Sequence, residues 1–524
     1  MKTSAAGTVP HGDESRLLDD LLRRIAAGHP HAPALGERDR AVDFATLDRR
    51  VHRVANGLAA SGSAGDRIAI VGRNSAEQVE LLLGIVRAGQ VALPVNWRLA
   101  APEIRYILSH SSATRVFADR EFAAIVAQAM EDRPVPLIVL DDAGAEGFAT
   151  WRDRQPDTPI ERRGRAEDVV LQMYTSGTTG LPKGVMLTNA SVMASIAIFS
   201  RPPLDLDTSD VIYAPAPMFH ITGIGPVLRS VQSGARLVLA SQFVPDEAVR
   251  VMAREGVTYT TLAPAMIQAC LAAPSFREAA PAALRMIVYG GSPIAESVLR
   301  EAGERMGCAF AQCYGLTETT GPVTLLTPED HAPGEQRLLS CGRAADGIEI
   351  AVIDADGAPV SAGETGEIVV RGDIVMTGYA DDPDATAQTV RAGWLKTGDA
   401  GYLDEDGYLF IRDRVKDMIV SGGENVYPVE VENALLEHPA IADAAVIGIP
   451  DPRWGEAVLA MIVPAFGHTL TTDDVTAFCR DRIAGYKCPR EIRFIDMVPR
   501  NAAGKILRRE LRAPFWEGRE RQVG

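Results

Sequence analysis

Residues 174–184 read YTSGTTGLPKG. One serine, three threonines, three glycines, a proline and a lysine fall within these eleven residues. Such a run has no apolar periodicity and cannot build a core. Glycines let successive backbone N–H groups point into one cavity without Cβ obstruction. Hydroxyls add donors, and Lys183 adds a compact positive charge. Together these make a cradle for phosphate. The spacing G-x-x-x-x-G-K-[ST] is not met, because Lys183 is followed by Gly184. The stretch is therefore a phosphate loop of another kind, although taken alone a solvent-facing polar turn also explains it.

Outward from the loop, strand-like and helix-like runs alternate. RIAIVG (67–72) and QVALPV (90–95) precede it; ARLVLAS (235–241), VTYTTLA (257–263) and LRMIVYGG (284–291) follow. Helical spacing marks RLLDDLLRRIAA (16–27), FATLDRRVHRVANGLAAS (44–61) and PDEAVRVMAREG (245–256). This alternation predicts an α/β fold with parallel sheets. The strand that ends in Gly290 and Gly291 would present a ligand site at its carboxyl end.

After Gly334 the texture changes. IEIAVID (348–354), GEIVVRG (366–372) and GYLDEDGYLFI (401–411), with turn signals between them, predict antiparallel β-structure. A further unit follows, with helices at 429–438 and 471–483 and strands at 443–449 and 457–464. The expected organisation is a flexible tail over 1–14, an N-terminal domain over 15–415 and a small C-terminal α/β domain over 416–524. The N-terminal domain would comprise doubly wound α/β subdomains and a β-rich subdomain.

The chain has 524 residues, long enough for several cores. Its net charge of −16 argues against nucleic acid as the main partner, while a local cradle can still hold an anion. No apolar run reaches the ~18 residues of a spanning helix, and no signal peptide is visible, so the expected location is the cytoplasm. The six cysteines form no C-x-x-C and read as scattered reduced thiols.

The loop is accompanied by PMFHITG (217–223), YGGSP (289–293), QCYGLTETTG (312–321), GWLKTGD (393–399), DRVKDMIVSGGENVYPVEVE (413–432) and PRNAAGKILRREL (499–511). These seven motifs, in this order, resemble the adenylate-forming superfamily of acyl-CoA synthetases, adenylation domains and luciferases, and most of all the bacterial fatty-acyl-CoA synthetases. The resemblance implies an ATP-dependent acid–CoA ligase. A carboxylate would attack the α-phosphate of ATP, pyrophosphate would leave, and a thiol would displace AMP from the acyl-adenylate. ATP, Mg2+ and coenzyme A are the implied cofactors.

The resemblance also implies residue roles. Thr175, Ser176, Gly177, Thr178, Thr179 and Lys183 would hold the β- and γ-phosphates. Gly290, Gly291 and Ser292 would lie at the adenine edge, with Tyr314 against the ring face. Thr317 would touch phosphate and Glu318 would hold magnesium. Asp399 would accept from the ribose hydroxyls, and Arg414 would contact ribose and phosphate. His220 would lie near the substrate carboxylate; its other reading is a satisfied core histidine. Lys505 would bridge the carboxylate and the α-phosphate. Lys416 would be the hinge of a small domain that rotates between half-reactions, carrying Gly422, Gly423 and Glu424 to the pantetheine channel. Trp454, Tyr486 and Lys487 would contact the CoA nucleotide, with packing roles equally open. Arg508, Arg509 and Arg512 read as a solvated helix face.

No acidic residue stands in MFHITGIG, which argues against an amino-acid substrate. The expected acid is apolar and not tiny: a medium- or long-chain fatty acid, an aromatic acid, or a polycyclic terpenoid or steroid acid. The residues expected to shape its pocket are 219–225, 263–268 and 315–323. An enzyme of one half-reaction is the alternative. The expected partners are the acid, ATP and CoA, with a homodimer as the oligomer, no nucleic acid and no transmembrane segment.

Overall fold

The computed structural model describes residues 17–36, 41–142, 144–161, 164–175, 181–292, 294, 296–331, 336–414, 417–421, 424–500 and 505–517. The expected tail over 1–14 lies outside them.

Two large sheets carry the N-terminal part. The first has seven strands; its parallel centre comprises Val91–Pro94, Arg67–Val71, Arg115–Ala118 and Leu137–Val139, with Val169–Thr175 beside Val91–Pro94. The second has nine strands, with a parallel run through Arg236–Leu239, Val211–Ala214, Tyr259–Leu262, Met286–Gly290 and Ala309–Leu316. The central strands are buried and largely apolar, as strands covered by helices on both faces must be. The covering helices obey the same logic. Helix Phe44–Ala59 starts where the Asp43 side chain accepts from Thr46 N, and it buries Phe44, Leu47, Val51, Val54, Ala55 and Leu58 along one stripe.

Both sheets exchange chain. Pro33–Leu35 and Val42–Asp43 join the nine-stranded sheet, although the segments after them build the other. Gly378–Tyr379 returns from far along the chain to pair with Lys183–Thr188. A third sheet, of Glu349–Ile353, Gly366–Arg371, Val390–Arg391, Trp394–Leu403 and Leu409–Arg414, is antiparallel throughout, as the turn-rich texture predicts.

The C-terminal part has a sheet and core of its own. The long hairpin of Ile441–Asp451 and Gly455–Pro464 is flanked by helices Pro428–Leu436 and Thr472–Arg480 around Ile419, Val431, Leu435, Val446, Val458 and Val475. The arginine-rich end differs from expectation. Arg508 donates to Glu432 at 2.6 Å and Arg512 to Asp417 at 2.7 Å, with both arginines largely covered. These ion pairs clamp the last helix, Arg508–Trp516, onto the small sheet, so Arg508 and Arg512 are not solvated.

Candidate active site

The phosphate loop is strung between antiparallel strands Val169–Thr175 and Lys183–Thr188, in which Thr175 pairs with Lys183. Both loop ends are tied down. Tyr174 OH lies 2.8 Å from His110 Nδ1, and Tyr106 OH donates to Pro182 O at 3.2 Å. Burial pushes the Tyr174 phenol up, so it stays protonated. A Cβ at Gly184 would stand 2.8 Å from Gln172 Nε2 and 3.1 Å from the Tyr174 ring, so a larger residue here would push on both side chains. Ser176, Gly177, Thr178 and Thr179 lie outside the described residues.

At the loop's exit three distant stretches meet. Tyr379 pairs with Val185 on the edge of the first sheet, which places its ring beside Lys183, and Lys183 Nζ sits 4.9 Å from the ring centroid. The Tyr379 hydroxyl donates to Glu318 Oε1 at 3.1 Å. Burial, and then the Glu318 carboxylate, push the Tyr379 phenol up and keep it a donor. Glu318 is presented by the 3₁₀ turn Thr317–Thr319, which follows strand Ala309–Leu316. That turn is held by Thr319 Oγ1, which donates to Gly321 O at 2.8 Å, and by Thr320 Oγ1, which donates to Ile374 O at 2.7 Å. Lys183 and Glu318 were legible in their motifs; Tyr379, which joins them, was not. Its only local signal is an isolated Gly-Tyr pair.

A second cluster lies along the same strand. Tyr314 OH donates to Asp399 Oδ2 at 2.8 Å, and Asp399 is 6% exposed. Asp399 and Arg414 are direct partners across strands Trp394–Leu403 and Leu409–Arg414. Both therefore stand on strands. Burial, and then Asp399, push the Tyr314 phenol well up, so the pair is a neutral phenol on a carboxylate.

Gly290 and Gly291 are glycines for different reasons. A Cβ on Gly290 would lie 2.2 Å from Cys313 O in the neighbouring strand, so close strand packing by itself requires glycine here. Gly291 has φ +82° and open space around it, and it turns the chain away, with Ser292, at the strand's carboxyl end.

His220 caps the N-terminus of helix Ile221–Ser233. Its ring stacks obliquely on Phe219 at 4.5 Å, and Arg98 lies 5.5 Å from the Phe219 centroid. Its Nε2 is buried and has no hydrogen-bond partner among the described residues. Burial, and then Arg98, push its pKa down to about 4. It is a neutral imidazole near pH 7, able to offer one donor and one acceptor.

The C-terminal candidates are held apart from these clusters in the chain. Lys505 is exposed beside the short bridge between Arg500 and Ile506. Lys487 donates to Glu430 at 2.6 Å. The Trp454 ring has Arg453 at 4.7 Å and Arg490 at 4.2 Å. Tyr486 is partly exposed next to Lys487. Lys416, Gly422 and Gly423 lie outside the described residues; Glu424 opens strand Glu424–Val426.

Residues 22–380 match the AMP-binding enzyme family, and residues 430–505 match the AMP-binding enzyme C-terminal domain. The chain belongs to the AMP-binding enzyme family. It is 40% identical to a fatty acid–[acyl-carrier-protein] ligase, ScoC, of Streptomyces coeruleorubidus, over 95% of this chain and 96% of that one. It is also 40% identical to a feruloyl-CoA synthase of an Amycolatopsis species, over 94% of this chain and 98% of that one. Among solved structures, the o-succinylbenzoate CoA synthetase of Bacillus subtilis with its acyl-adenylate intermediate superposes with TM-score 0.84 at 33% identity, covering 94% of this chain and 97% of that one. This AMP-binding enzyme is an AMP-forming acid–thiol ligase, and ATP, Mg2+ and coenzyme A are the cofactors of that reaction. No helix among its described residues is long and apolar enough to cross a membrane.

Glu318 fits a magnesium site of the kind that reaction needs. Among the described residues no cluster of three His, Cys, Asp or Glu side chains exists. A hard cation shared with a nucleotide needs only one or two carboxylates, because phosphate oxygens and water complete its shell. Glu318 is a single, half-buried carboxylate with a neutral donor, the Tyr379 hydroxyl, on one oxygen, and Lys183 packs on the ring of that same tyrosine.

Proposed function

We propose that this enzyme activates a carboxylic acid with an apolar body, of medium-chain size or larger, and passes the acyl group to CoA. The observation that carries the reading is the convergence of Lys183, Tyr379 and Glu318 at the exit of the phosphate loop, with Tyr314 and Asp399 beside them on the same strand system.

In the first half-reaction a carboxylate oxygen forms a bond to the α-phosphorus and the bond to pyrophosphate breaks. The loop, with Thr175 and Lys183, holds the departing phosphates. Asp399 takes the ribose hydroxyls, and Tyr314 and the Gly291 turn border the adenine. Mg2+ at Glu318, when bound, neutralises phosphate charge. His220, neutral, donates its ring N–H to the acid's carboxylate. Lys505 stabilises the charge shared between carboxylate and α-phosphate. In the second half-reaction a thiolate attacks the acyl carbon and AMP leaves with the bonding pair. Lys416 would be the hinge between the two arrangements, and Gly422, Gly423 and Glu424 would line the thiol channel, with Trp454 and Lys487 near the CoA nucleotide.

All six cysteines are free thiols. Burial pushes Cys270, Cys308, Cys313 and Cys341 up to about 12, which fits inert thiols in a reducing cytoplasm. An aromatic acid is the second reading, favoured by the similarity to a feruloyl-CoA synthase.

The test is mass spectrometry of products from ATP, magnesium, CoA and a panel of fatty, aromatic and polycyclic acids, with parallel reactions lacking CoA or given synthetic acyl-adenylate. Acyl-CoA plus AMP from a free acid is expected. Acyl-CoA only from supplied adenylate would overturn the first half-reaction. Acyl-adenylate that never yields thioester would overturn the second.

A further inference from the structure

Helix Ile221–Ser233 does more than present His220. Thr222, Gly225 and Arg229 fall on one stripe of it, at i, i+3 and i+7. Along that stripe exposure falls steadily. Thr222 is exposed, Gly225 is half-buried, and Arg229 is 4% exposed. A Cβ built on Gly225 meets nothing within 4 Å, so open space lies over the turn to which Arg229 leans back. Another face of the helix is closed: a Cβ on Gly223 would stand 2.0 Å from Pro217 O.

Arg229 ends this stripe as an incompletely satisfied cation. One nitrogen, Nη2, donates to Leu204 O. Nε and Nη1 are buried and have no partner among the described residues. The guanidinium lies against the rings of Phe199 at 4.7 Å and Tyr259 at 4.4 Å. The titratable groups that act on it are the Tyr259 phenol and the Cys313 thiol, both pushed up by burial and neutral, and the charged pair Arg285 and Asp210. Asp210 is engaged elsewhere, accepting from Arg285 at 3.1 Å and from Thr258 Oγ1 at 2.7 Å. A buried charge with two unused donors is costly until an acceptor arrives.

We propose that Arg229 is a specificity residue that binds a second oxygen function at the far end of the acid, best a carboxylate. This rests on the acid-activating reading and narrows its substrate class to acids with an apolar body and a distal acceptor. A guanidinium fork matches a carboxylate with two parallel hydrogen bonds. The helix sets the length: nine residues separate His220 from Arg229, roughly 13 Å of axial rise, shortened to about 10 Å by the backward lean of the arginine side chain. The apolar middle of the acid would pass over Gly225.

The experiment compares matched acids of equal length: α,ω-dicarboxylic, ω-hydroxy and unsubstituted. The full-length enzyme is assayed for AMP release with ATP, Mg2+ and CoA. The wild type is expected to favour the diacid over the unsubstituted acid by tenfold or more in kcat/KM, with the hydroxy acid between them. R229M is expected to bring that ratio near one, chiefly by raising KM for the diacid, and R229K to restore part of it. Equal or better use of the unsubstituted acid by the wild type would overturn the proposal even if every variant misfolds. A uniform loss for all three acids in R229M would assign Arg229 to pinning Leu204 and would overturn it too. AMP release from none of the acids, nor from an aromatic and a polycyclic control, would instead overturn the acid-activating reading on which it stands.

Discussion

Tyr379 shows how one side chain can organise a site without belonging to a recognisable motif. Its ring rests by Lys183 and its hydroxyl holds Glu318. Tyr379→Phe should keep the ring contact and lose only the hydrogen bond, worth about 1 kcal/mol or roughly fivefold. The apparent Mg2+ requirement of adenylation should rise by that factor; an unchanged magnesium titration would remove Tyr379 from the metal's support. Lys505 is the complementary case, exposed in this arrangement. Lys505→Ala should slow adenylation by about 10²–10³ while sparing thioester formation from supplied adenylate. Equal losses in both halves would refute its assignment to the first. Lys183, Glu318 and Lys505 could be singled out as candidates because each sits in a dense local motif. Tyr379 could not, because its partners are set by a strand that returns across the molecule, and local sequence carries no trace of that pairing.

At the scale of elements, the parallel strands were legible because burial on both faces writes them as short apolar runs. The Asp399 and Arg414 strands were less so, because polar residues interrupt the apolar alternation there. The two glycines after Tyr289 separate packing from turning. Gly290→Ala should lower the melting temperature, by about 1–3 kcal/mol of overpacking, because the obstructing atom is the backbone oxygen of Cys313. Gly291→Ala should cost less, about 1–2 kcal/mol for its left-handed backbone, since space is free around it. A larger loss at Gly291 would reverse this assignment. The His220 helix adds a pH signature. Its histidine has a folded pKa of about 4 against an ordinary 6.5, so the unfolded chain takes up the proton first as pH falls. Stability should be full above pH 6.5 and decline between 6.5 and 4, by up to about 3 kcal/mol from this group. His220→Gln should flatten that part of the unfolding profile; an unaltered slope would show that His220 titrates normally.

At the scale of the molecule, the order of motifs and the change of texture beyond Gly334 revealed a large part followed by a small one, but not the exchange of strands between the two large sheets. Pairing over such separations depends on which edges remain open once local units form, and periodicity does not encode it. The division has a chemical consequence. The residues we propose to face the nucleotide, Lys183, Glu318, Tyr314 and Asp399, belong to the large part, whereas Lys505, Trp454 and Lys487 share the small sheet's unit with its separate core. If the two half-reactions use Lys505 first and the Gly422–Glu424 segment second, as we propose, the small unit must turn, and the connection near Lys416 is where we place that turn. Proline at 416 fixes φ near −65° and restricts residue 415 as well. If Lys416→Pro holds the adenylating arrangement, pyrophosphate release with the acid should persist, while thioester formation from supplied adenylate should fall by about 10², the cost of a misplaced reacting group. Separate assays of the two steps decide it: loss of both would mean that the substitution damages the fold, and full turnover with proline in place would mean that the chain does not turn there.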